Sequence, residues 1–305
     1  MQAGAVHLGL PGLAVPNLNT LLSQAFNGLA LGSLLALVAS GLTIVLGTLG
    51  VLNFAHGALF MLGAYATFFL IGHGMDYVAA VALACVAMAA LGLLLEWGLI
   101  RRFYHRPHED QILVTFGIGI VLVEAVRAMF GGNSQRLAVP SWGEGVTEIG
   151  FLFYPTYRLQ LIGIIGVLLL GFYLVLYRTS LGLVVRAGIE NTGMVGILGI
   201  NVRRTFLAVF ALGVMAAGLA GALYAPIVAV NPEMGASFMV QSFVVIVIGG
   251  LGSFPGAVLG GLIAGEIISL TTAFDAAYSD VMLYAVMAVL LVVRPQGLFG
   301  TEGRV

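Results

Sequence analysis

The chain has 305 residues, of which 60% are hydrophobic and only 8% charged, and its 12 basic and 13 acidic residues leave a net charge of −1. Globular proteins carry roughly 25% charged residues, so this composition, with a mean hydropathy of +1.09, excludes a water-soluble domain and points to an all-α polytopic membrane protein. The charge balance offers no basic field for nucleic acid, and the single cysteine, Cys85, excludes a disulfide framework or a cysteine-based metal site. All 12 basic residues are arginine. Without lysine the chain cannot encode a G-x-x-x-x-G-K-[ST] phosphate loop or a Schiff-base amine, so any ATP that powers it is bound by another chain.

Residues 1–17 hold two prolines and no basic residue, unlike the charged start of a secretory signal, so the first apolar run is expected to be a retained span. Apolar runs follow near 21–47, 56–73, 78–99, 111–130, 159–177, 205–226, 239–251, 255–272 and 281–293. About 20 residues cross a bilayer core of ~30 Å. The seventh run, at thirteen residues, reaches only about 20 Å as a helix, so the expectation is eight or nine crossings with 239–251 a half-span or re-entrant piece. Nine of the 12 arginines fall in three places: Arg101, Arg102 and Arg106; Arg178, Arg186, Arg203 and Arg204; Arg294 and Arg304. Nine crossings put all three on one side, the cytoplasm by the positive-inside rule, with the N-terminus and loop 131–158 outside and the C-terminus inside. That loop has the glycines and alternation of a small hairpin, and is either a connector or a docking surface for an exterior partner.

Two polar interruptions share a pattern. Asn53-Phe-Ala-His56-Gly57-Ala58-Leu-Phe60-Met61 and Asn231-Pro-Glu233-Met-Gly235-Ala236-Ser-Phe238-Met239 both read N-x-x-x-G-A-x-F-M, offset by 178 residues. The first ends an inward-going span and the second an outward-going one, the signature of an inverted repeat with broken helices, here about 20–130 and 159–293 within one permease-like membrane domain. Gly28/Gly32 and Gly252/Gly256/Gly260 are spaced for close helix packing.

Charges at membrane depth are candidates for function. Glu124 and Arg127 are spaced to pair on one helix face, and Glu96 reaches Arg101 near the cytoplasmic end of its span. Glu266 is the only acid in 254–272, and is either a pathway or gate residue or a buried hydrogen-bonding group. Asn53, His56, Asn231, Glu233 and Gln241 complete the candidate pathway set, with helix capping the alternative for the two asparagines. His105 and His108 flank Pro107, which keeps the imidazoles off one helix face, and they read as a solvated basic turn rather than a metal site. Neither G-x-S-x-G nor H-E-x-x-H occurs, so no catalytic residue and no cofactor is expected.

Between the fifth and sixth spans, residues 178–204 are long for a connector. Ile189, Met194, Ile197 and Leu198 approximate a helical apolar stripe, Arg186, Glu190 and Asn191 lie off it, and Gly199 stands where a helix would stop. Such a helix either docks a soluble partner or lies on the headgroups.

The run R-A-x-x-E-N…G-I-L-G-I-N-V-R-R from Arg186, together with G-L-T-I-V-L-G from Gly41, V-L-N-F-A-H-G from Val51 and G-G-L-G-S-F-P-G-A from Gly249, resembles the permeases of branched-chain amino acid ABC importers over about residues 20–298. The resemblance implies a non-enzymatic subunit of the bacterial inner membrane. It pairs with a second permease subunit, two ATP-binding ATPase subunits that dock on the cytoplasmic loops, and an exterior substrate-binding protein. It implies a coupling element at 186–201, with Arg186, Glu190, Asn191, Met194 and Gly199 as its candidate residues. The stretch Asn191-Thr-Gly-Met194-Val195 departs from the alanine-rich, acidic run of the family. Members also carry urea, amides and other small solutes, so the solute stays open. A stand-alone channel or carrier using Glu266 or His56 is the rival, disfavoured by the long amphipathic loop and the lack of a second buried acid.

Overall fold

The computed structural model describes residues 6–7, 14–104, 106–150, 152–197 and 200–300. A short antiparallel pair, β1 (Val6–His7) with β2 (Ala14–Val15), precedes α1 (Leu18–Leu49). The chain continues through α2 (His56–Gly72), α3 (Tyr77–Gly98), α4 (His108–Phe130), the hairpin β3 (Val146–Ile149) and β4 (Leu152–Pro155), then α5 (Thr156–Arg178), α6 (Ser180–Ile197), α7 (Val202–Tyr224), α8 (Met234–Gly249), α9 (Phe254–Phe274) and α10 (Ser279–Val293). Seven helical segments are long and apolar enough to cross a membrane, and α2 and α8 are shorter apolar helices. The protein is therefore an all-α polytopic membrane protein. The loop expected as a hairpin is one, with Thr147 opposite Tyr154.

Helix starts follow side-chain chemistry. Asn17 accepts from the Thr20 amide, Asp76 from Val78, Asn201 from Arg204 and Ser253 from Gly256, each satisfying an amide that the first turn leaves without a carbonyl. Gly50, with φ at +68°, ends α1 in the left-handed conformation. The run expected at 239–251 is α8 at 234–249. Hydrophobicity counting delays its start past Ser237, whereas the turn built by Asn231 starts the helix at Met234.

α1 and α7 are buried along most of their length, whereas less than a quarter of α3, α4, α5 and α10 is buried. Leu94, Leu113, Val121, Val167, Leu170 and Val292 stand on that outer surface, an apolar exterior suited to acyl chains rather than water. The interior is assembled through small residues. Gly32 of α1 faces Gly261 and Gly265 of α9, Gly41 faces Gly213 of α7, Gly63 of α2 faces Gly218 of α7, and Gly57 of α2 faces Gly235 of α8. A methyl group placed on Gly41 would lie 2.8 Å from the Gly213 carbonyl oxygen, so the backbones themselves are in contact. Lipid tails are as apolar as leucine and supply no hydrophobic drive between helices, so this backbone proximity provides the dispersion that does.

The far end of α7 is tied by two tyrosines. The Tyr157 hydroxyl donates to the Leu223 carbonyl at 2.7 Å and lies 2.6 Å from the Tyr77 hydroxyl, joining α3, α5 and the last turn of α7, where carbonyls lack helical partners.

Two outcomes are expected. Gly265→Leu drives a side chain into the α1 backbone at Gly28 and Gly32 and costs about 3 kcal/mol or more, whereas Gly163→Leu on α5, with nothing within 4 Å of its site, leaves the melting temperature in detergent nearly unchanged. Tyr157→Phe leaves the Leu223 carbonyl unpaired and lowers stability by about 1 kcal/mol, read as an earlier thermal transition of the purified protein.

Candidate functional site

Asn53 and Asn231 build the same turn. The Asn53 side-chain oxygen accepts from the Ala55 amide at 3.1 Å and its carbonyl from the His56 amide at 3.1 Å; the Asn231 side chain accepts from Glu233 at 3.1 Å and its carbonyl from Met234 at 3.2 Å. Each turn is followed at once by an apolar helix. Neither asparagine caps its helix, contrary to the capping alternative: the N-cap positions are Ala55 and Glu233, and the asparagine side chains close Asx turns just before the helices begin. The two helices that they start meet at equivalent residues: the Gly57 backbone abuts that of Gly235, and the Phe60 and Phe238 rings stack with centroids 4.3 Å apart.

His56 is fully buried and its Nε2 lies 3.0 Å from the Val38 carbonyl, well inside α1. The start of α2 is thus placed within the bundle instead of at its end, and 50–55 lead to it without helical structure. The Val38 carbonyl, which within α1 is the acceptor for the amide one turn on, also accepts from this imidazole, so His56 is a structural tie as well as a polar interruption.

Between the first turns of α2 and α8 and the middle of α4 lies a cavity of about 640 Å³, walled by Gly57, Phe116, Ile120, Met239 and Phe243 among others. Its walls are apolar except for Glu124 and Glu233. Arg127 joins these two acids, donating through Nη1 to Glu124 at 2.5 Å and through Nη2 to Glu233 across from α4 to α8. All three side chains are about half-exposed. The Glu124–Arg127 pair follows the spacing in the sequence. The link to Glu233 does not, because the two residues stand 106 positions apart and nothing in the sequence between them sets their distance.

Other candidates lie apart from this cavity. Gln241 donates to Asp280 of α10 at 3.3 Å. Glu266 of α9 presses its carboxyl against Gly28 of α1, beside a polar cluster in which Ser269 donates to the Gln24 carbonyl at 2.6 Å and Asn27 accepts from Tyr154 at 2.8 Å and Arg158 at 2.5 Å. The expected pathway set is therefore divided among three places. At the opposite end of the bundle, buried Glu96 accepts from Tyr104 at 2.8 Å and from Arg101 at 3.4 Å. Burial, with the adjacent carboxylate, pushes the Tyr104 hydroxyl well above the usual phenol range, so it remains a donor. His105 lies outside the described residues, and among those described no group of three metal-ligating side chains gathers around His108 or elsewhere.

The 178–204 stretch contains a helix, α6, that begins at Ser180, earlier than the apolar stripe indicated. Val185 and Val195 are buried, and Val184, Gly188 and Val195 line a narrow crevice with Thr48 of α1 and Val202, Thr205 and Phe206 of α7. Met194 and Ile197 instead face outward, so the seating face of the helix is the valine face rather than the expected stripe. The Arg186 guanidinium lies over the Tyr177 ring, 4.8 Å from its centroid. Glu190 and Asn191 are on this helix, in a part whose side chains are not described, and Gly199 lies outside the described residues.

Comparison with known proteins places this architecture. Residues 24–291 match the family described as branched-chain amino acid transport system / permease component. The chain is 32% identical over 295 residues to the high-affinity branched-chain amino acid transport system permease protein LivH of Salmonella typhimurium, covering 92% of this chain and 95% of that protein. It is 31% identical to the corresponding permease protein BraD of Pseudomonas aeruginosa, over 94% of this chain and 98% of the relative. To LivM of Escherichia coli it is 28% identical, over 85% of this chain and 66% of LivM. The chain belongs to the branched-chain amino acid transport system permease family.

Proposed function

We propose that this chain is the membrane-spanning permease subunit of an ATP-binding-cassette importer that carries branched-chain amino acids across the bacterial inner membrane. The observation that carries this reading is full-length similarity to permeases named for that transport, combined with a helix, α6, seated on the ends of α1 and α7 with Leu183 and Ile197 exposed. An outward apolar face on a short helix between two spans suits a soluble partner. Two ATPase subunits take that role, an exterior binding protein delivers the solute, and a second permease subunit completes the pathway. Similarity of this one chain to both LivH and LivM, two permeases present together in Escherichia coli, supports a second, related chain as that subunit.

In this reading the molecule is an inverted repeat in which α1–α3 correspond to α7–α9. The identical turns at Asn53 and Asn231, the mutual Gly57–Gly235 and Phe60–Phe238 contacts, and the paired packing of α1 with α9 and of α7 with α3 support it. Nine crossings, with the N-terminus outside and the C-terminus and α6 in the cytoplasm, agree with the arginine distribution. Alternating access then rocks the two halves about the meeting point of α2 and α8, and ATP binding on the partner chains drives it through α6 and its residues Arg186, Glu190, Asn191, Met194 and Gly199.

Reversal of charge on the docking helix separates folding from coupling. Glu190→Arg is expected to leave the amount of permease in the membrane unchanged while leucine uptake falls at least about tenfold. Normal uptake by this variant, or transport by the chain reconstituted alone without ATPase subunits, rejects the coupling role.

A further inference from the structure

The cavity between α2, α4 and α8 has one charged end, and the arrangement of that end is informative. Arg127 uses two different nitrogens for Glu124 and Glu233, which leaves guanidinium donors unused, since the group carries five N–H bonds. The triad of one cation and two anions has an uncompensated negative charge. A ligand bearing only a carboxylate would add a second. A ligand bearing only an ammonium would neutralise the triad and leave the guanidinium edge unfilled. An α-amino zwitterion supplies both groups, its carboxylate to the remaining N–H bonds of Arg127 and its ammonium to Glu124 and Glu233, so each ligand charge meets an opposite one and the net charge of the site stays at −1. The rest of the cavity, walled by Phe116, Ile120, Met239 and Phe243, has no polar group to offer a hydrophilic side chain. Its volume of about 640 Å³ lies within the range of small-molecule sites.

We infer that this cavity is a binding station for a zwitterionic amino acid with an aliphatic side chain, in which Arg127 holds the α-carboxylate, Glu124 and Glu233 hold the α-ammonium, and the apolar walls take the side chain. The inference rests on the permease reading and adds to it a site within this chain that selects both the amino-acid head and the side-chain class. It also gives the α4–α8 ion pair a second role. Because Arg127 and Glu233 come from different helices, a ligand inserted between them bridges α4 and α8 through its own two charges.

The test uses the whole transporter in membrane vesicles, with Cys85→Ala removing the native thiol and Ile120→Cys placing one on the half-exposed wall of the cavity. The rate of alkylation at position 120 is measured with leucine, with 3-methylbutylamine, which lacks the carboxylate, and with 4-methylpentanoate, which lacks the ammonium. Leucine is expected to slow alkylation about tenfold and the other two to leave it unchanged, with protection lost in both Glu124→Gln and Glu233→Gln. Glu148→Gln on the exterior hairpin is expected to retain it. Vesicles that take up leucine while leucine gives no protection, or protection by the amine equal to that by leucine, overturn the station. Absence of leucine uptake from these vesicles, with ATPase activity intact, overturns the branched-chain reading itself.

Discussion

Contact between helix backbones is the constraint on which this molecule depends. In a bilayer the helices gain nothing by hiding leucines from lipid, so the interior must offer denser packing than acyl chains do. The glycines at 32, 41, 57, 63, 213, 218, 235, 261 and 265 let α1, α2, α7, α8 and α9 touch main chain to main chain. Large side chains such as Phe60, Tyr65 and Phe210 fill the interior around these contacts, and others, Leu113 and Val167 on α4 and α5 among them, stand on the outside. The same design fixes where change can be borne: faces joined by glycine have little room, Gly92 of α3 against Ala211 of α7 included, while the face of α5 at Gly163, Gly166 and Gly171 has ample.

Placing helix starts inside the bundle is the second element, and it costs backbone hydrogen bonds. The Asx turns of Asn53 and Asn231 return some of them locally, and His56 contributes another through the Val38 carbonyl. The two short helices then present their first turns to the same cavity, which gives a membrane interior a place where polar groups and an opening coexist. Buried polar atoms near it remain without protein partners, among them the Asn53 amide nitrogen and the His56 Nδ1. They belong to the stretch of chain that departs most from regular helix.

Much of the fold is legible in the sequence, because hydrophobic run length is set directly by bilayer thickness and does not depend on distant contacts. The nine runs correspond to nine helices, and the glycines spaced for close packing do pack closely: Gly256 and Gly260 of α9 against α8, and Gly28 and Gly32 of α1 against α9. The start of α8 is less legible, because a single asparagine turn outweighs average hydropathy there. The proposed repeat shows in the sequence as five shared residues, and of these the asparagines form the two turns while the Gly57–Gly235 and Phe60–Phe238 pairs meet each other. The site was legible in halves. The pairing of Glu124 with Arg127 follows from helical spacing, whereas the arrival of Glu233 is a product of how α8 packs against α4. Glu266 and Gln241 carry the polarity that puts them in the pathway set, and where they pack, against α1 and beside Asp280 of α10, is again set by helix packing that the sequence does not display.

At 32 residues, α1 is about 48 Å long at 1.5 Å per residue, and a hydrocarbon core is only ~30 Å thick. The helix is therefore longer than the apolar slab is thick; its first turns carry Asn19, Thr20, Ser23, Gln24 and Asn27, and Thr48 in its last turn meets α6. One continuous rod thus runs from α6, past the backbone contacts at Gly41 and Gly32, to the polar cluster of Gln24 and Asn27. In the coupling role proposed for α6, a tilt of that rod about the glycine contacts displaces its two ends in opposite directions.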